Sequence, residues 1–382
     1  MDITGIICEY NPLHLGHKKQ LDHIRRQHPD SGIVCLMSGN FVQRGKPAIV
    51  DKSIRAEAAV GCGADLVLEL PVTAALSSAE GFAAEGVRIL GSFCTRLCFG
   101  TESGNKESLL STARVLLSEE FSAALRSRLD QGLSFPAARQ MALADLSGQA
   151  QLLSQPNDIL AIEYCKAILQ QQLSLEPMPI IRAGSYHDSQ ADPENPSATA
   201  LRRLLLEGGN WQDYVPSAAI PLMEKANLHA LSTGEKAILY RLQTMTEADY
   251  ETLPYGSEGL WRKLMHNARS LSSLEDILTA TKSKRYTRTR LDRMVLCAFL
   301  GITAEDLLSP APYTRVLAFN QKGREILKEA RLQGQFPNAG TRMDSPYQLL
   351  EERCGDLYGL FSLNAPELPG AELRRRVCYT QT

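Results

Sequence analysis

Over its first two hundred residues the chain alternates short apolar runs with stretches of helical periodicity, and that alternation constrains the fold more than any single motif. The apolar runs fall at residues 3–8, 32–38, 66–70, 97–100 and 178–181. Between them, apolar residues recur at helical spacing over 54–61, 79–90, 106–118, 121–130, 135–143 and 158–172. This order predicts an α/β domain with a Rossmann-like, doubly wound parallel sheet. Polar or turn residues follow each run: Glu9-Tyr10-Asn11, Ser38-Gly39-Asn40, Glu69-Leu70-Pro71, Gly100-Thr101-Glu102 and Arg182-Ala183-Gly184. In a parallel sheet these collect at the carboxyl edge, where ligands bind.

The first run is the most informative. Ile3-Thr4-Gly5-Ile6-Ile7-Cys8 leads through a turn at Asn11-Pro12 into His14-Leu15-Gly16-His17 and an amphipathic segment reaching His28. Two imidazoles on one turn then stand where a strand end meets a helix N-terminus, a place whose free N–H groups and dipole favour an anion. The arrangement resembles the HxGH signature of the nucleotidylyltransferase superfamily, which attacks the α-phosphate of ATP and releases pyrophosphate. That chemistry calls for fixed donors at the charge developing on the phosphoryl oxygens. His14 and His17 are the candidate donors, Lys18 a candidate for the outer phosphates, and Gly16 the residue that gives a nucleotide room. A zinc pair would need further ligands nearby, and the strand and Asn-Pro turn would then be coincidental.

Composition sets limits. The chain has 382 residues, room for two domains, and a formal net charge of −2 that gives no global attraction to nucleic acid. Any RNA contact must come from a local patch. No segment has the length and apolarity of a membrane span, and the first residues enter a strand pattern without a charged leader. The nine cysteines are scattered; Cys94 and Cys98 are close but have no matching second pair for a zinc site. Reduced thiols in a cytoplasmic protein is the expectation.

Gly208-Gly209, Pro216 and Pro221 mark a change of character. We place an ATP-binding catalytic domain at 1–212 and a mainly helical RNA-binding domain at 213–382, with helices over 235–244, 258–268, 273–281, 288–300, 323–333 and 345–358. Residues 315–319 read as one short strand, and the chain from Arg374-Arg375-Arg376 onward as mobile. Within the helical part, Lys282, Lys284, Arg285, Arg288, Arg290 and Arg293 oppose a single acid, Asp292, with Tyr286, Thr287 and Thr289 interleaved. Such a run is often a solvated helix face, but here it reads as a polyanion patch that could hold RNA.

Four other constellations stand out. Ser38 to Pro47, with its glycines and basic residues, suits a phosphate- or substrate-facing loop, although composition alone favours a surface turn. Asn195-Pro196-Ser197-Ala198-Thr199-Ala200-Leu201-Arg202 opens an apolar-periodic helix. Ser197 or Thr199 can cap it, and Arg202 one turn on would hold a pyrophosphate. Asn157 in Gln155-Pro156-Asn157-Asp158 is either a cap or a ligand group. Ile181 to Asp188 ends a strand with an arginine, a glycine and an aromatic, a turn whose backbone suits an adenine edge.

Together these motifs resemble the bacterial tRNA(Met) cytidine acetate ligase family over essentially the whole chain. The resemblance rests on Gly5 to His17, Ser38 to Pro47, Asp65 to Pro71, Pro156-Asn157-Asp158, Ser197 to Arg202 and Lys284 to Arg290, in that order. It implies a nucleotidylyltransferase-type sheet domain and an ATP-dependent ligase that converts acetate to acetyl-adenylate, with Mg²⁺ on the ATP phosphates. The acetyl group then passes to the wobble cytidine of elongator tRNA(Met), giving N4-acetylcytidine. No membrane and no obligate protein partner is implied. Carried over by position, His14, His17, Ser197, Thr199 and Arg202 are catalytic. ATP contacts fall on Ile7, Cys8, Glu9, Tyr10, Asn11, Pro12, Leu13, Leu15, Gly16, Lys18, Lys19, Gln20, Gly100, Asn157 and Arg182. Leu13 replaces a more usual aromatic and Pro196 a less rigid residue; neither removes a chemical group. Two other readings compete: a nucleotidylyltransferase acting on a small phosphorylated acceptor, and a non-catalytic RNA-binding protein.

Overall fold

A computed structural model describes residues 1–182, 196–331, 336–364 and 367–380. Its main sheet has seven strands. β1 (Ile3–Cys8), β2 (Gly32–Ser38), β3 (Leu66–Leu70), β4 (Arg96–Thr101) and β5 (Glu176–Ile181) lie parallel in the order β5-β4-β1-β2-β3. Central parallel strands are covered on both faces and so read as continuous apolar runs. Alternate residues serve opposite faces. Ile3, Ile7, Val34, Leu36, Leu66 and Leu68 pack against helices Ala79–Gly91 and Pro156–Gln170. Ile6, Ile33, Cys35, Met37 and Val67 pack against Leu15–Gln27 and Lys52–Gly61. The doubly wound expectation holds for these five strands.

The second half of the chain completes the sheet. β6 (Val316–Phe319) adds antiparallel to β3, and β7 (Cys378–Tyr379) adds parallel to β6. The division expected at 212/213 is therefore crossed by the sheet, and the sheet is not parallel throughout. An apolar run covering β3 satisfies a row of backbone groups that would otherwise be an open edge. Helices Glu235–Thr244, Leu260–Ser270, Leu274–Thr281, Arg288–Leu300 and Pro346–Tyr358 enclose a second core around Ile238, Leu264, Ile277, Leu291, Met294 and Tyr358. Phe41, from the loop after β2, enters this core and meets Tyr358 and Phe361 edge-on at 5.8 and 6.2 Å.

Charge also fastens the two halves. Lys52 donates to Glu69 at 2.6 and 2.7 Å and to Glu372 at 2.9 Å, all three being buried. Arg375 grips Asp51 through two nitrogens at 2.6 and 2.7 Å and reaches Glu372 at 3.2 Å. The C-terminal segment expected to be mobile from Arg374 is thus pinned through Arg375 and β7. The reason is that its arginine pairs with Asp51 and Glu372, carboxylates carried by the two halves of the chain. Among the described residues no helix is long and apolar enough to cross a membrane, and all nine cysteines are free thiols.

Removing one member of a buried charge cluster leaves the others uncompensated. Arg375→Ala is expected to lower unfolding free energy by about 3 kcal/mol, read as a shifted urea midpoint with an unchanged slope. A variant as stable as the parent would show that the C-terminal segment does not fasten the halves.

Candidate functional site

His14 has extended backbone and caps the helix Leu15–Gln27. Its Nδ1 accepts the Gly16 amide hydrogen at 3.1 Å, while Nδ1 of His17 accepts the His14 amide hydrogen at 3.2 Å. This is a capping box built from two imidazoles in place of a hydroxyl and a carboxylate. Each ring spends Nδ1 as an acceptor, so in the neutral form each carries its hydrogen on Nε2. The rings stack with centroids 3.7 Å apart, and Tyr10 lies against His17 at 4.8 Å. Gly16 was expected to make room for a nucleotide. A Cβ there would sit 3.0–3.1 Å from the His14 ring, so the glycine first makes room for that imidazole.

Burial pushes the His14 pKa down to about 3, assisted by the positive charges of Arg182 and Arg202. His17 is pushed well below its usual value by burial, then by His14 and Arg182. The pair are therefore neutral N–H donors at working pH. Positive charge comes instead from the two arginines.

Arg202 comes from the helix Ala198–Glu207 and donates to the Asn11 carbonyl at 2.7 Å and to Thr199 Oγ1 at 3.1 Å. Ser197 caps the same helix by accepting from the Ala200 amide at 3.2 Å. Its hydroxyl is thus explained by capping, while the arginine does reach the histidine turn. Asn195 and the turn from Ala183 to Asp188 lie outside the described residues, as do 332–333 of the expected helix 323–333.

On the other side of β1, the Arg182 side chain crosses Gly100, where a Cβ would come within 2.7 Å of its Cδ. Arg182 donates to Asn157 Oδ1 at 3.2 Å, and Asn157 Nδ2 donates to Glu102 at 2.7 Å. Glu102 also accepts the Asp158 amide at 2.9 Å, while Asp158 accepts the Glu102 and Ser103 amides at 3.0 and 3.2 Å. Asn157 is held between Arg182 and Glu102 by these bonds and does not cap the helix Pro156–Gln170. Sequence reasoning missed Glu102; its place one residue after β4 was the available signal.

The long stretch expected to contact ATP divides sharply. Ile7, Tyr10 and Leu13 have buried side chains, so only their backbone can face a ligand. Asn11 uses Oδ1 to accept the Ile49 amide at 2.8 Å and joins Pro12 through a cis peptide. Cys8 and Glu9 are partly exposed at the strand end, Leu15 and Gly16 at the helix start, and Lys19 is exposed. Lys18 pairs with Asp22 one turn along, and Gln20 donates to Cys98 Sγ at 3.5 Å.

The loop from Ser38 to Pro47 is no ordinary surface turn. Its Gln43 amide donates to Glu9 Oε1 at 2.8 Å, at the cleft. Gly45, in the left-handed region at φ 70°, lies where a Cβ would come within 2.4 Å of the Arg293 amide nitrogen.

The basic run is less free than its sequence implied. Arg288 is held by Glu275 at 2.6 and 2.7 Å and by Asp292 at 2.9 Å. Arg290 donates to the Tyr255 carbonyl at 2.8 Å and sits 4.9 Å over the Tyr286 ring. Arg293 is buried, stacking over Tyr255 at 4.9 Å, and so is not a surface contact for RNA. Lys282, Lys284 and Arg285 project, Arg285 pairing with Glu258 at 2.9 Å. The missing signal was long-range: Glu258 and Glu275 lie outside the run and fold back onto it.

Residues 1–358 match the HIGH Nucleotidyl Transferase family. The chain is 39% identical over 357 residues to a tRNA(Met) cytidine acetate ligase of Clostridium novyi (strain NT), covering 88% of this chain and 89% of that protein. It is 36% identical over 361 residues to the Clostridium acetobutylicum protein of the same name, covering 88% and 89%. The apo crystal structure of Thermotoga maritima TmcAL superposes with a TM-score of 0.92 at 29% identity, covering 100% of both chains. The form bound with alpha-thio ATP gives 0.89.

A base whose folded pKa lies below its unfolded value binds its proton more readily unfolded, so stability is lost as pH falls between the two values. For His14 that window runs from 6.5 down to about 3. Replacing it by glutamine is expected to flatten the decline of the urea midpoint between about pH 7 and pH 5. An unchanged slope would show that His14 does not carry this dependence.

Proposed function

The chain belongs to the HIGH Nucleotidyl Transferase family and, within it, to the tRNA(Met) cytidine acetate ligases, and from that premise we propose how its own residues do the work. The protein is an ATP-dependent ligase that activates acetate and transfers the acetyl group to a tRNA cytidine. Its acceptor is the wobble cytidine of elongator tRNA(Met), and its product N4-acetylcytidine.

The observation that carries this reading is the stacked, neutral histidine pair at a helix N-terminus, acted on by the charges of Arg182 and Arg202. An acetate oxygen attacks the α-phosphorus of ATP, the bond to the bridging β-oxygen breaks, and pyrophosphate leaves. Negative charge grows on the α-phosphoryl oxygens and the leaving oxygen. Nε2–H groups of His14 and His17 are donors held by backbone bonds before the reaction begins, so they stabilise that charge without reorganising. Arg182 and Arg202 flank the turn and supply cationic forks for the phosphates. Ser197 and Thr199 act by setting the helix that carries Arg202. Asn157 and Gly100 support Arg182 on the side where the nucleoside would lie. Mg²⁺ is the ion that would accompany ATP, and it neutralises phosphate charge when bound. Among the described residues no group of three or more His, Cys, Asp or Glu could hold it, so the phosphates would be its principal ligands.

Residues 1–212 then supply the nucleotide site, and the helical part of 213–382 supplies the RNA surface through Lys282, Lys284 and Arg285. The protein would act in the cytoplasm, where ATP, acetate and tRNA meet.

The deciding experiment incubates the protein with ATP, Mg²⁺, isotopically labelled acetate and bulk bacterial tRNA. Label is expected on a methionine tRNA. AMP transfer to a small phosphorylated acceptor, with no label in RNA, would overturn the reading. His14→Ala and His17→Ala should each lower acetate-dependent ATP–pyrophosphate exchange by roughly 10²–10³-fold, the cost of one such donor. Exchange within a few-fold of the parent would remove the histidines from the reaction.

Replacing Lys282, Lys284 and Arg285 together by alanine should weaken tRNA binding and reduce the salt slope of log K by about 2. Arg288→Gln should alter that slope far less, because its charge is already met by Glu275 and Asp292. Equal effects would return the whole run to the RNA surface.

A further inference from the structure

The transfer step needs a group that takes a proton from the cytosine amine, and the carboxyl edge of the sheet narrows the choice. Among the described residues at the strand ends and the helix starts beside them, the acids are Glu9, Asp51, Glu69, Glu102 and Asp158. Asp51 is gripped by Arg375 and caps the helix Lys52–Gly61. Glu69 is spent on Lys52. Glu102 and Asp158 bind each other's backbone amides. Glu9 differs from all four. It follows β1 directly, five residues before His14, and is partly exposed. Its Oε1 is anchored by the Gln43 amide at 2.8 Å, which fixes the carboxyl and leaves Oε2 as the second acceptor. Arg202 donates to the carbonyl of Asn11, two residues after Glu9 and three before His14, at 2.7 Å, so the guanidinium is held on the turn that joins the carboxylate to the histidines.

Resting on the ligase reading, we propose that Glu9 is the residue that receives the amine of the target cytidine and accepts its proton during acetyl transfer. A carboxylate is the side chain that accepts from cytosine N4 in base recognition. The same charge would repel a phosphorylated small acceptor from this position, which further separates the ligase from that alternative.

The step balances simply. The N4 lone pair attacks the acetyl carbonyl carbon, the bond from that carbon to the AMP oxygen breaks, and AMP leaves with the electron pair. The N4 proton passes to a Glu9 oxygen and then to solvent. Burial raises the Glu9 pKa, against the lowering influence of the Gln43 amide and of Arg202, Arg44 and Arg55. Burial raises the pKa of Tyr164 on the helix Pro156–Gln170, and the Glu9 charge acts on it in the same direction. A raised carboxyl pKa makes a better base.

Glu9→Gln keeps an acceptor for the Gln43 amide and removes only the basic oxygen. It is compared with the parent in two half-reactions: acetate-dependent ATP–pyrophosphate exchange, and single-turnover transfer of labelled acetyl from enzyme-bound acetyl-adenylate to a tRNA(Met) transcript. Transfer is expected to fall at least about 100-fold more than exchange, the usual scale of general-base catalysis. The parent's transfer rate should rise with pH through one ionisation that the variant lacks, and Glu9→Asp should restore that rise at a lower rate. Parallel losses in both half-reactions, or transfer at the parental rate, would overturn the inference. Absence of exchange in the parent itself would instead sink the ligase reading, whatever Glu9 does.

Discussion

One buried guanidinium organises the reacting edge. Arg55 donates to the carbonyls of Glu9 at 2.6 Å, Ser38 at 3.0 Å, Val50 at 2.8 Å, and also Gly39. These carbonyls belong to the ends of β1 and β2 and to the loop after β2, places where the sheet ladder has stopped and buried acceptors would otherwise lack donors. The five-donor fork of arginine serves them together, which no lysine could do. Its charge is met by peptide dipoles and not by a hydrogen-bonded carboxylate, so its positive potential survives at the strand ends. A site for a polyanionic nucleotide is thereby prepared before any side chain contacts a phosphate.

That background explains the choice of neutral histidines. With Arg55 beneath the strand ends and Arg182 and Arg202 beside the turn, two further cations would repel one another at stacking distance. Depressing both imidazole pKa values resolves the conflict, and the capping bonds select the tautomer that points Nε2–H outward from the backbone. On the proposed reading the labour divides: the arginines would attract the substrate, and the imidazoles would donate to charge that appears only as the reaction proceeds.

Much of this was legible in the sequence because it is local. Strand runs, helix periodicity and the HxGH turn depend on neighbours within one element, and the five parallel strands fall where apolar runs predicted them. What escaped was set by residues distant in sequence. Glu258 pairs with Arg285 and Glu275 with Arg288 in a basic run that looked uncompensated, and Asp51 and Glu372 pin an arginine that looked like part of a loose tail. Within the site, a His-x-Gly-His pattern announces two imidazoles but not that each is committed to a backbone amide. Glu102 and Arg55 carry no motif at all; their importance comes from what the fold leaves unsatisfied around them.

The loop from Ser38 to Pro47 then acquires a role that composition could not supply. Phe41 is buried in the helical core, Gly45 permits backbone contact with Asp292 and Arg293, and Gln43 holds Glu9. A single ten-residue segment thus touches the helix that bears the basic run and the carboxylate at the end of β1. Close-packed contacts of this kind transmit displacement because they have no slack to absorb it. The loop thus joins the helix that carries part of the basic run to the carboxylate proposed to receive the cytidine amine.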